Sequence, residues 1–262
     1  METPADTWKH ILTAPADANL RAQFVTGLVQ AHDPRAKLFS LQAAYDGAVA
    51  AKSADEIALK PQLDAALGEY RLPFDRRAAA WPGRIAFVDA WPIELTIAAR
   101  DFASHAADIV ATIPLRHLDL LRVADAPSVF ELPQFEQIVS VDASGQSWTD
   151  DAVRALAGSA HVAGLRWLNL SNCGITEAQV DVLAASTGLN DVAMLDLTHN
   201  PTRDPVDAAA GYGTDWSTNR IIPDSIFLPA FGAELQAKYG KIAWLNGLWN
   251  YLEDYPPSRY TF

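Results

Sequence analysis

"LRWLNLSNCGITEAQVDVLAAS", residues 165–186, opens with apolar side chains at alternating places and closes with a helical spacing. Leu168 and Leu170 are two apart, the period of a strand, whereas Val180, Leu183 and Ala184 recur as on one helix face. Thr176-Glu177-Ala178-Gln179-Val180 between them reads as a capped helix start. The same order of residues returns along the chain. Twenty-seven residues later stand Val192, Leu195, Leu197 and Asn200, matching Leu165, Leu168, Leu170 and Cys173. Twenty-seven residues earlier stand Ile138, Val141, Ala143 and Gln146, then Trp148 and a second helix start at Thr149-Asp150-Asp151. A further 23 back lie Leu115, Leu118 and Leu120, and an irregular earlier unit runs from 88–93 into AARDFASHAADIVAT. A fixed period of this size signals stacked units, none of which buries its apolar face alone.

Each unit reads as a short strand, a turn and a helix. The alternating leucines point into the stack and the residues between them face the other side of a parallel sheet. The position of Cys173 and Asn200 turns inward after the strand, where Asn can bond main-chain groups and Cys fits as a small buried residue. This frame, L-x-x-L-x-L-x-x-N/C-x-L with a helix behind it, resembles the ribonuclease-inhibitor type of leucine-rich repeat. The resemblance implies strands on a concave side and helices on a convex side.

The first seventy residues read differently, as helices. Thr3-Pro4, Asp17 and Asp33-Pro34 mark three starts, and Ser53 with Glu56 a fourth by a capping box, with Pro61 expected to kink or split that helix. Residues 11–44 are similar to a bacterial repeat-companion domain. Pro15, Asp17, Leu20-Arg21, Asp33-Pro34-Arg35 and Leu41-Gln42 carry that likeness. Phe24-Val25-Thr26-Gly27 and Ala36-Lys37 depart from the pattern. The likeness, extended by GRIAFVDAWPIELTIAARDFASHAADIVATIPLRHLDL, covers about 11–200 and brings no catalytic residues.

The fold expected is therefore α/β: a short leucine-rich-repeat solenoid preceded by an all-α N-terminal domain. Its parts are a companion-like domain at 1–72, a connector at 73–86, about five repeat units at 87–200 and a C-terminal cap at 201–262. The cap holds the loop-like GYGTDWSTN, a helix with a Gly stop, and an aromatic tail. There Trp244, Leu245, Leu248, Trp249 and Leu252 are expected to cover the last apolar layer, with a ligand pocket as the alternative.

The 262 residues carry a net charge of −12, which argues against phosphate-backbone binding. Residues 1–72 contribute −2 and the remainder −10. That distribution suits a basic partner meeting the second part, or serves solubility alone. No apolar run is long enough for a transmembrane helix, METPADTWKHIL lacks the form of a secretory signal, and a lone cysteine suits the cytoplasm. No zinc spacing, nucleotide loop or nucleophile elbow is present, so no metal or cofactor is expected. Cys173 reads as wall material before nucleophile, and His199 as a surface histidine.

One constellation stands out. The repeat frame puts Asp119, Asp142, Asn169 and Asp196 at one position, between the inward leucines. Flanking columns hold His117, Ser140, Trp167 and Met194 on one side and Leu121, Ser144, Ser171 and Thr198 on the other. Acidic, aromatic and small polar groups together suit a basic protein or peptide, with Trp167 and Met194 as anchors. A toxin it neutralises or an enzyme client would fit. Plain surface polarity, an assembly adaptor using the helical domain or tail, and a hydrolase using the paired carboxylates are the alternatives.

Overall fold

The computed structural model describes residues 2–197, 200, 229–240 and 242–245. Thr198, His199, GYGTDWSTN, Leu248, Trp249 and Leu252 lie outside the described residues. The architecture is α/β, with eight α-helices among the described residues and six strands in one mostly parallel sheet, in chain order. No described helix is long and apolar enough to cross a membrane.

One compact unit takes residues 1–97 and 105–116. It holds α1 (Pro4–Thr13), α2 (Ala18–Gln30), α3 (Ala36–Ala50) and α4 (Asp55–Ala78). Thr3 and Asp17 cap as expected, the first accepting from the Asp6 amide and the second from the Asn19 and Leu20 amides. The capping box at Ser53 does not form. Its hydroxyl accepts from the Asp55 amide and donates to the Asp55 carboxylate, a tighter local turn that leaves Glu56 out. Nor does Pro61 split the helix: α4 runs through both Pro61 and Pro73. Buried Leu63, Tyr70 and Ala78 along it supply packing that offsets the lost main-chain bonds.

The first unit also carries strands, beyond the segment 1–72 that was expected to be all-α. β1 (Arg84–Val88) and β2 (Trp91–Ala98) pair antiparallel, with Val88 opposite Trp91, so the expected strand at 88–93 is a reversal. Asp89 and Ala90 both take left-handed backbone (φ 48° and 70°), the geometry of a two-residue hairpin turn made here without glycine. Trp91 follows directly and joins an aromatic core. Its ring lies 5.0 Å from Phe39, 5.8 Å from Phe24 and stacks at 6.2 Å on Trp8, while the Arg21 guanidinium sits 5.2 Å over it. The second half of α5 (Ala99–Val110) belongs to this unit, and there Asp108 accepts from the Trp81 indole and pairs with Arg77.

The second unit takes residues 98–104 and the chain from His117 onward. β3 (His117–Leu121), β4 (Ser140–Asp142), β5 (Trp167–Asn169) and β6 (Met194–Asp196) pair parallel in that order. Three short 3-10 segments at 123–137 connect β3 to β4. α6 (Asp150–Gly158) lies between β4 and β5, and α7 (Glu177–Ala184) between β5 and β6. Thr149 caps α6, and Thr176 with Gln179 closes the capping box of α7. α8 (Pro229–Tyr239) ends at Gly240, whose φ of 81° suits a helix stop. Lys238 and Tyr239 reach Asp181 of α7 at 2.8 and 2.9 Å. Trp244 is buried.

The apolar frame residues Leu165, Leu168, Leu170, Ile175, Ile138, Val141, Val192, Leu195 and Leu197 are buried in the core of this unit. Each such side chain contributes roughly 1.5–3 kcal/mol on leaving water. Side-chain bridges at the same spacing tie one strand's turn to the previous one. Asn200 accepts from the Cys173 and Ile175 amides and donates to the Leu170 and Leu197 carbonyls, all at 2.8–2.9 Å. Gln146, two periods earlier, accepts from the Val123 amide and donates to the Leu120 carbonyl. Behind them Ser159 and Ser186, 27 apart, donate to the Phe130 and Ala157 carbonyls. Gly164 is obligatory at one close approach, since a Cβ there would lie 2.7 Å from the Glu136 carbonyl oxygen.

Asn200→Ala removes four bonds to main-chain groups and is expected to cost about 2–4 kcal/mol. Urea denaturation checks this; an unchanged midpoint would show that the bridge does not stabilise the fold.

Candidate functional site

Strands of three residues bring few side chains to any one face, so register decides which meet. Asp119 stands opposite Asp142, Asp142 opposite Asn169, and Asn169 opposite Asp196. One step before, His117, Ser140, Trp167 and Met194 align in the same way. Both rows join residues 23 or 27 apart in sequence, and parallel neighbours lie roughly 4.8 Å apart.

The rows do not look outward as expected. Trp167 is 4 % exposed, His117 3 %, Asp196 4 % and Asn169 8 %, and Ser140 is buried too. Asp119, Asp142, Met194, Ser144 and Ser171 are half-buried. An alternating strand pattern assigns a residue to a face but says nothing of what covers that face.

The hydrogen bonds show work the row does for the fold. Asp142 Oδ1 accepts from the Ser144 amide at 3.0 Å and the Ser144 hydroxyl at 2.7 Å. Asn169 Oδ1 accepts from the Ser171 amide at 2.9 Å, one unit on. Its Nδ2 donates to Asp142 Oδ2 at 3.2 Å. Three donors thus compensate the Asp142 carboxylate for lost water. Asn169 also keeps a neutral amide between Asp142 and Asp196, while Asp119 and Asp142 are direct neighbours. Two charges about 5 Å apart repel by somewhat under ~1 kcal/mol in water and by more where water is excluded.

His117 Nδ1 lies 2.8 Å from Ser140 Oγ. A hydroxyl bonded to an imidazole is the pairing a nucleophile and its base require, and here it sits buried inside the row. Cys173 has no such company. Its thiol donates to the Ala143 carbonyl at 3.1 Å, and burial pushes its pKa up to about 11. The thiolate that would attack or bind metal is thereby disfavoured. Among the described residues no three His, Cys, Asp or Glu side chains form a group able to hold a metal ion.

One residue of consequence was not among those the sequence singled out. Glu94 lies on β2 and is 7 % exposed, among the apolar Trp91, Ile93, Leu95 and Ile97. The signal was a lone acid inside an otherwise apolar strand.

No family model, curated protein or solved structure matches the chain.

The raised Cys173 pKa fixes two signs. A thiol protonated in the fold stabilises it below its ordinary value of 9.0, and that contribution is lost as pH rises toward about 11. Attack by Cys173 on an aromatic disulfide reagent at pH 8 is expected to be about a hundredfold slower in the native protein than in urea. Equal rates would place the thiol in an activated, accessible setting.

Proposed function

We propose that this chain is a short leucine-rich-repeat solenoid of the ribonuclease-inhibitor type with a diverged companion domain before it. It acts in the cytoplasm as a non-catalytic module that binds a basic protein or peptide. The observation that carries the reading is the aligned row Asp119, Asp142, Asn169 and Asp196 beside the row of His117, Ser140, Trp167 and Met194. Supporting it are the bridges of Gln146 and Asn200, whose spacing equals that of the strands, and a charge of −10 concentrated after residue 72. Half-buried Asp119 and Asp142 supply the attraction at encounter. Half-buried Met194 supplies apolar area once the partner arrives, with half-buried Ser144 and Ser171 as neutral neighbours.

A second reading, an assembly adaptor, is favoured by a different observation. Among the described residues, four of the five exposed large apolar side chains, Val29, Val49, Ile57 and Leu72, lie on helices of the first unit. Under that reading Val49→Ser with Ile57→Ser changes the oligomeric state or partner uptake, and the acidic row is silent.

Fluorescein-labelled pools of Lys/Arg-rich and Asp/Glu-rich peptides, titrated by anisotropy at two salt concentrations, separate the readings. The basic pool is expected to bind preferentially, more tightly at low salt, and at least tenfold more weakly to Asp119→Asn/Asp142→Asn. Those positions are chosen because they are half-buried; a lysine at buried Asp196 would test folding instead. Equal binding of both pools would overturn the proposal.

A further inference from the structure

In the first unit, the start of α3 and the middle of α4 flank a cavity of about 370 Å³. That size lies within the roughly 300–1,000 Å³ of small-molecule sites. Buried Leu38 and Ala66 give it an apolar part, while Arg35, Lys37, Glu69 and Tyr70 supply its polar groups. Tyr70 is 8 % exposed, its ring packed on Phe39, Phe74 and Phe87 at 6.1, 5.5 and 5.9 Å. A buried tyrosine hydroxyl ordinarily finds a partner. This one makes no hydrogen bond among the described residues, and it borders the cavity. Burial pushes its pKa up to about 12, so the hydroxyl stays protonated and can donate.

The charges around the cavity divide into committed and uncommitted. Arg35 donates from Nε and Nη2 to the Asp33 carboxylate at 2.9 and 2.7 Å and lies 5.9 Å over the Phe24 ring. Those contacts fix the plane of the guanidinium and leave its Nη1 unengaged among the described residues. Lys37 and Glu69 are both exposed and form no ion pair among the described residues, with each other or with any other group. Two opposite charges that line one cavity without meeting are complemented together by a ligand that carries both signs.

We infer that this cavity binds a small zwitterion with an apolar side chain, the chemistry of a free α-amino acid. Its carboxylate accepts from Lys37, the Tyr70 hydroxyl and Nη1 of Arg35. Its ammonium donates to Glu69, and its side chain lies on Leu38 and Ala66. The site is independent of the basic-partner reading, whose acidic row belongs to the second unit.

The test titrates the full chain with L-leucine and L-phenylalanine by ligand-observed NMR. Isocaproate and isoamylamine, which keep the leucine side chain but lack the ammonium or the carboxylate, are the controls. At least one amino acid is expected to saturate the wild-type chain, with both controls at least tenfold weaker. Lys37→Gln is expected to weaken the amino acid tenfold and leave isoamylamine within twofold. Glu69→Gln is expected to do the same and leave isocaproate within twofold. Both positions are exposed, so circular dichroism of these variants is expected to match wild type. Tyr70→Phe removes a hydroxyl that bonds nothing in the unliganded fold, so its melting temperature is expected to hold while affinity falls threefold or more. A tyrosine serving only the aromatic core would leave affinity unchanged. The inference is overturned by controls that bind as tightly as leucine, by affinity unmoved in Lys37→Gln or in Glu69→Gln, or by no saturation with either amino acid. None of these outcomes bears on the acidic row, which is titrated separately with peptides.

Discussion

Strands three residues long cannot satisfy their own turns. β4 and β5 each give way at once to a bend whose amides and carbonyls turn into the core, where an unmet group costs about 1–3 kcal/mol. The second unit depends on the side chains that answer those groups. Asn200 answers four of them with one amide, joining its own turn to the previous one. Gln146 answers two and Cys173 a carbonyl, each reaching back to the turn of the preceding strand. The leucines drive the burial, but these bridges fix how far apart successive turns stand. They thereby hold the strands in the one register that brings Asp119, Asp142, Asn169 and Asp196 into line.

The acidic row obeys the same economy. Asp142 and Asn169 each hold the turn after their strand by accepting from an amide two residues on, with Ser144 and Ser171 as donors. Different atoms of one side chain thus serve the turn and the neighbouring strand. Oδ1 of Asp142 belongs to its own turn, whereas Oδ2 points along the row to the Asn169 amide. Asp119 has Leu121 in place of the serine, and β3 continues for five residues instead of breaking after three. The end of the row at β3 is therefore built differently from the rest.

What could be read in the sequence was whatever a periodic pattern encodes directly. The spacing of Leu168 and Leu195, the cap at Thr176 and the equivalence of Gln146, Cys173 and Asn200 each depend on residues close to one another or one period apart. Three features depended on something else. The hairpin at Asp89-Ala90 lacks the Asn-Gly or Asp-Gly that announces such a turn, and Trp91, seated against Trp8, Phe24 and Phe39, holds it instead. Helix α4 persists through two prolines because packing outweighs propensity. The burial of Trp167, Asn169 and Asp196 could not be read, because alternation names a face and not what lies over it.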